Sequence, residues 1–155
     1  MKRTVLATVL LLSLFLCPLW PTDACAHSCE KIVRSLNERI APSIDEPELI
    51  EILRELNRTN NGKLPARFVN KKTARSWGWK PGKDLWSVNA LKGRSIGGDR
   101  FGNREGRLPD KQWREADLDY KGGRRGAKRI VFSQDGKRMV TVDHYKTFME
   151  VPQCR

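Results

Sequence analysis

Histidine is almost absent from this chain of 155 residues: only His27 and His144 occur. That scarcity argues against a histidine-built metal centre and leaves His144 as the one imidazole well inside the chain. Acidic residues are also in short supply, 18 against 30 Lys and Arg, for a formal net charge of +12. An excess of that size suits a polyanionic partner such as nucleic acid or an anionic surface, although solubility and cell-wall binding explain it too. No internal repeat, coiled-coil heptad pattern or low-complexity tail is present, so solenoid and fibrous architectures drop out. No strand-to-helix G-x-G-x-x-G unit surrounds the glycine-rich stretches, which leaves dinucleotide binding unsupported.

What is present begins with Met1-Lys2-Arg3, an apolar run from Val5 to Trp20, and Ala24-Cys25-Ala26. A basic start, a short hydrophobic stretch and alternating small residues read as a secretory signal peptide over 1–26, cleaved after Ala26. The run is short for a bilayer span and is broken by Pro18 and Pro21, so stable membrane association after cleavage is not expected. Removing Lys2, Arg3 and Asp23 changes the formal charge from +12 to +11. Of four cysteines, Cys29 and Cys154 then remain, and an oxidising compartment favours one disulfide joining the ends of the mature chain.

The rest of the chain is one small domain's worth of residues. Ile32, Val33, Leu36 and Ile40 give a short helix over Ser28–Ile40, with Pro42 beyond it. Asp45-Glu46-Pro47 marks the start of a second helix with an apolar stripe of Leu49, Ile50, Ile52, Leu53 and Leu56, stopped by Asn60-Asn61-Gly62. Asn57-Arg58-Thr59 is a glycosylation sequon, of consequence only in a glycosylating host. A third short helix runs from Asn70 to Trp77. Ser95-Ile96-Gly97-Gly98-Asp99 and Phe101-Gly102-Asn103-Arg104-Glu105-Gly106 read as loops. Four strands follow, over Trp113–Leu118, Lys128–Ser133, Arg138–Val142 and Thr147–Val151, with Asp135-Gly136 as a hairpin turn. Helices first and antiparallel strands after predict an α+β fold, N-terminal helices packed on a C-terminal antiparallel sheet.

Strand alternation places Trp113, Glu115 and Asp117 on one face, and Arg114, Ala116 and Leu118 on the other. Two carboxylates on one strand face call for cationic partners, and Lys121, Arg124, Arg125, Lys128 and Arg129 follow closely. A solvated face beside a basic hairpin explains this pattern. So does phosphoryl chemistry without a metal: a carboxylate takes a proton, histidine returns one, and guanidinium groups stabilise phosphate charge. In VTVDHYKTFMEV, alternation puts His144 on a strand, where a lone histidine is more often structural than catalytic.

The stretches KLPARFVNKKTARSWGW, GRSIGGDRFGNREGRLP, WREADLDY, GGRRGAKRIVF and TVDHYKTF resemble, in order and spacing, the barnase-like, guanyl-preferring microbial extracellular ribonuclease family. The resemblance runs from about Leu49 through Val151. It divides the chain into signal peptide (1–26), an N-terminal extension with a short helix (27–48) and a barnase-like ribonuclease domain (49–155). The family's fold is the α+β arrangement above.

By matching position, the resemblance implies Glu115 as general base on the ribose 2′-OH and His144 as the acid that protonates the departing 5′ oxygen. Lys71, Arg125, Arg129 and Tyr145 would surround the scissile phosphate. Asn103, Arg104 and Glu105 would form the guanine loop, with Asp117 and Asp99 in support. No cofactor or metal is implied. The substrate would be single-stranded RNA, cleaved by a secreted or periplasmic monomer, and a small acidic barstar-like inhibitor is a conceivable partner. Gly102, Arg124 and Thr73 depart from barnase's serine, aromatic and acidic residues without removing a proposed catalytic group. A basic RNA-binding protein of the same fold without catalysis, or a cell-surface protein, are the rival expectations.

Overall fold

The computed structural model describes residues 27–155; the signal-peptide reading over 1–26 lies outside the described residues. The first helix, α1 (Cys29–Asn37), is capped by Ser28, whose hydroxyl accepts from the Lys31 amide. It stops three residues before Ile40. The physical reason is Asn37, whose side-chain amide donates to the Ile44 carbonyl and accepts from the Ile44 amide, folding the chain toward the next helix. Asp45 caps α2 (Glu46–Arg58) by accepting from the Glu48 amide at 3.0 Å. Leu49, Ile52, Leu53 and Leu56 are fully buried along it, whereas Ile50 is only partly so. Three- and four-residue spacing selects the first group, and Ile50 falls outside that stripe.

After β1 (Phe68–Val69) comes α3 (Lys71–Ser76), capped as expected by Asn70, then two single 3₁₀ turns at Leu85–Ser87 and Asn89–Leu91. The remaining strands are β2 (Ser95–Phe101), β3 (Trp113–Asp117), β4 (Arg129–Ser133), β5 (Arg138–Thr141) and β6 (Met149–Glu150). They form one six-stranded sheet in sequence order, antiparallel except for the β1–β2 pair. The architecture is α+β, as the order of patterns predicts.

Two expectations are corrected. Ser95–Phe101 is a strand, not a loop: it pairs with β1 on one side and β3 on the other, with a register shift between Gly97 and Asp99. A bulge of that kind breaks the period-two pattern by which strands are recognised. Gly97 is needed there, because a Cβ would stand 2.7 Å from the Phe68 ring and 2.8 Å from Ala116 Cβ. His144 is not on a strand either. β5 ends at Thr141, and His144 and Tyr145 occupy a loop with φ of 59° and 71°.

The sheet has two differently used faces. Ala116, Ile130, Phe132 and Val140 meet α1 and α2 in the main core. Trp113 and Val131 point the other way and pack with Leu108, flanked by Phe101, Met139 and Phe148. A third cluster around Trp79, Leu85, Leu91, Ile96 and Tyr120 underlies the middle of the chain. The 27–48 segment supplies Cys29, Val33, Leu36 and Ile44 to the main core, so it is built into the packing.

Cys29 and Cys154 form a disulfide across a sequence separation of 125. Beside it, Asn57 donates to the Cys154 carbonyl at 2.7 Å and accepts from buried Arg138 at 2.8 Å. Arg138 also donates to Asn61 at 2.8 Å, so amides and not carboxylates hold this guanidinium. A glycan on the Asn57 sequon would attach at Nδ2, the atom that donates to the Cys154 carbonyl. Replacing Cys29 and Cys154 together with serine is expected to lower unfolding free energy by about 2–5 kcal/mol, because the unfolded chain regains a long loop's entropy. Urea denaturation of the two proteins at one temperature measures this difference.

Candidate active site

β3 carries the centre of the site. Its face opposite the main core presents Glu115 and Asp117, both buried, as alternation predicts. A buried carboxylate is costly unless bonded to cations or donors, and each of these two has its own set. Lys71, at the start of α3, places its ammonium 2.8 Å from Glu115 Oε1. The Tyr145 hydroxyl donates to Glu115 Oε2 at 2.5 Å. Burial pushes the Glu115 carboxyl up, but the Lys71 and Tyr145 bonds, with the charges of Lys71 and Arg129, outweigh it and hold it below the ordinary glutamate value. Burial and the neighbouring Glu115 charge raise the Tyr145 phenol, which therefore stays protonated as a donor.

Asp117 holds the arginines. Arg125 donates to it through Nε and Nη2, both at 2.5 Å, in a two-pronged pair. Arg129 Nε lies 2.9 Å from Asp117 Oδ1 but is not aligned for a hydrogen bond, so that contact is an ion pair. Burial alone would lower the Arg125 guanidinium, yet Asp117 raises it and it remains charged.

His144 and Tyr145 are placed by the loop 141–147. Asp143 Oδ1 accepts from the amides of Lys146 and Thr147 at 3.0 Å each and from the Thr141 hydroxyl at 2.9 Å. Its Oδ2 accepts from the Thr147 hydroxyl at 2.7 Å, and the Tyr145 amide donates to Thr141 Oγ1. Desolvation raises the Asp143 carboxyl, but these donors prevail and bring it to about 2. Positive φ at two consecutive non-glycine residues costs on the order of 1–3 kcal/mol each, and these bonds hold the loop in that shape. The exposed His144 ring lies 4.8 Å from the Tyr145 ring, centroid to centroid.

Two cavities meet this cluster. One, of about 620 Å³, is lined by Phe101, Asn103, Arg104, Glu105, Glu115, Tyr145 and Phe148, among others. Phe101 stacks on Tyr145 at 5.1 Å in its wall. The second, of about 430 Å³, is lined by Lys83, Arg124, Arg125, Arg129 and His144 with adjoining glycines.

The structure thus brings together Lys71, Glu115, Asp117, Arg125, Arg129, His144 and Tyr145. Several of the expected residues also make contacts within the protein. Lys71 spends its ammonium on Glu115. Asp99 accepts from the Lys71 amide at 2.9 Å and so anchors α3. The Asn103 side chain is used inside its loop, donating to the Leu108 carbonyl at 2.7 Å and accepting from the Leu108 amide at 3.1 Å. Arg104 and Glu105 are exposed on the rim, with Glu105 held by Arg107 at 2.8 Å. Cys29 and Cys154 lie apart, in the main core. Sequence reasoning missed Asp143, Lys83, Phe101 and Phe148. Asp143 had a signal, since an aspartate followed by two possible hydroxyl and amide donors is a turn former. Among the described residues no group of three or more His, Cys, Asp or Glu is arranged to hold a metal ion.

A family model described as ribonuclease matches residues 54–152. Ribonucleases of Heyndrickxia coagulans, Bacillus intermedius and Bacillus pumilus are each 45% identical over 92 residues, or 57% of this chain. The match spans 84% of the first relative and 56% of each of the other two. Among solved structures, ribonuclease Sa2 in complexes with mononucleotides is 29% identical, over 53% of this chain and 77% of that one, with a TM-score of 0.34. The matched span contains every residue of the cluster from Lys71 to Tyr145, and the chain belongs to the ribonuclease family whose barnase-like microbial members its motifs resemble.

Proposed function

We propose that this ribonuclease is a secreted, monomeric endoribonuclease that cleaves single-stranded RNA preferentially after guanosine, by metal-independent transesterification. The observation that carries the reading is the placement of Tyr145: its hydroxyl bonds Glu115 and its ring lies against His144. One aromatic ring therefore separates the two proton-transfer groups, and Arg129 is near both, acting on the Glu115 charge and lining the His144 cavity.

In the first step Glu115 accepts the 2′-OH proton as the 2′ oxygen attacks phosphorus. His144, protonated, gives a proton to the 5′ oxygen as its bond to phosphorus breaks, leaving a 2′,3′-cyclic phosphate. In the second, neutral His144 takes a proton from water, which attacks phosphorus, and Glu115 returns its proton to the 2′ oxygen, giving a 3′-phosphate. Arg125 and Arg129 stabilise charge on the non-bridging oxygens, while the Lys71 ammonium holds Glu115 ionised until it takes the proton. DNA, lacking the 2′-OH, has no internal nucleophile.

For the base, Glu105 offers a carboxylate to the adjacent N–H donors of guanine, while Phe101 and Phe148 supply an apolar wall. Asn103 holds the loop in shape for this. The signal peptide motivates export, and the basic cleft suits a small acidic inhibitor that covers Arg125, Arg129 and His144.

Purified protein incubated with guanosine-containing RNA in a chelator is expected to release a cyclic phosphate before the 3′-phosphate. His144→Ala and Glu115→Ala should each lose about 10²–10⁴-fold in kcat/KM. RNA binding without turnover in the parent protein would favour the non-catalytic reading.

The pH profile of kcat/KM should be bell-shaped. Glu115 must be ionised to accept a proton, and its carboxyl is held down, so the acidic limb should lie below the ordinary glutamate value. Lys71→Ala removes the strongest lowering contact and leaves burial in place, so that limb should move to higher pH. An acidic limb unmoved in Lys71→Ala and in Tyr145→Phe would remove Glu115 as the base.

A further inference from the structure

We propose a second RNA contact outside the catalytic cleft, in which Trp77 and Arg94 stack a base of the bound strand and neighbouring cations hold its backbone. It rests on the ribonuclease reading, and its residues are separate from the machinery described above.

Trp77 is the only large hydrophobic side chain exposed among the described residues, at 43%. A solitary exposed apolar residue is ordinary, but this one is not alone. The Arg94 guanidinium lies over its ring, 5.3 Å from the centroid. Arg94 is itself held by the carbonyls of Ala90 at 3.3 Å and Ala66 at 3.1 Å, so the pair is a prepared platform. Indole and guanidinium planes are the surfaces on which unpaired bases stack.

Cations predominate here: the carboxylates that approach Arg94's neighbours Gly93 and Ser95 are Glu48 and Glu51, and both are paired with Arg67. Between Glu55 and Asp84 the chain contains no acidic residue. On the two segments that meet at the Trp77–Arg94 pair, Lys72, Arg75, Lys80 and Lys92 are exposed, and none forms an ion pair with another described residue. An exposed aromatic ring under one guanidinium, on segments that carry further unpaired cations, fits a ligand with π-faces and repeated negative charge. Single-stranded nucleic acid has both, whereas a lipid surface or a polysaccharide lacks the stacking bases.

The position also suits a strand that is being cut. α3 begins at Lys71, whose ammonium bonds Glu115, and is closed by Trp77 as its C-cap. At 1.5 Å per residue the two ends are roughly 9 Å apart along the axis, so a strand of a few nucleotides can reach both. The contact would therefore act on longer RNA and be silent toward a dinucleotide.

The test uses a guanosine dinucleotide, RNA oligonucleotides of increasing length, and a single-stranded DNA oligonucleotide that binds without being cleaved. For Trp77→Ala the expected result is unchanged dinucleotide kcat/KM, with at least about a fivefold loss of kcat/KM on long RNA and of affinity for the DNA strand. Trp77→Tyr, which keeps a π-face, should recover most of both. Lys72→Ala combined with Arg75→Ala should weaken binding and lower the salt slope by about one to two. Equal turnover of long RNA by the parent and Trp77→Ala would overturn the proposal while leaving dinucleotide cleavage, and so the catalytic reading, intact. Equal weakening toward heparin, which has no bases, or toward anionic phospholipid vesicles would overturn it in favour of simple charge attraction or a membrane contact.

Discussion

A buried carboxylate holding two guanidinium groups is the interaction on which the site depends. Asp117 is 2% exposed and sits against Arg125 and Arg129, which are less than a quarter exposed at their side chains. Without it, two like charges would be drawn together in a partly dry place with nothing to offset their repulsion or lost hydration. With it, they remain charged, close together and fixed. Two guanidinium groups and one carboxylate leave one net positive charge on groups already fixed in place, which is what the proposed phosphate contact requires.

Asp117 also explains the demands made on β3. The strand must offer Ala116 to the helices while holding two carboxylates toward the cations, and period-two alternation does both at once. Glu115 is two residues from Asp117 on the same face, but its partners are Lys71 and Tyr145, which come from different elements. The separation keeps one carboxylate neutralised as scaffold. The other is held by one ammonium and one hydroxyl, the arrangement the proposed general base would need. Distant elements support that second carboxylate, namely the start of α3, anchored by Asp99, and the strained loop braced by Asp143.

Much of this arrangement is legible in the residues. Asp45 and Asn70 cap helices where the pattern places them, because a cap is a contact across three residues. The division of β3 into two faces is equally local. β2 escapes such a reading because its glycines and bulge erase the alternation, although Gly97 is required by the close approach of Phe68 and Ala116 and Gly98 by its φ of 89°. The ends of α1 and β5 fall short of their patterns for a similar reason. Asn37 turns the chain by bonding Ile44, and Asp143 turns it by bonding Lys146 and Thr147. In both cases a short polar side chain outweighs the apolar period around it.

Patterns along the chain are enough for the class of fold, the identities of the charged groups, the faces of β3 and, through ordered motifs, the family. Packing alone settles that Lys71 spends its ammonium on Glu115, that Asn103 serves its own loop, and that His144 leaves the sheet to stand beside Tyr145. Periodicity and capping are written over a few neighbouring residues, so they can be read in order from the residues themselves. The contacts of the site join residues 30 and 44 positions apart, and their geometry exists only once the sheet, α3 and the loop after β5 have packed.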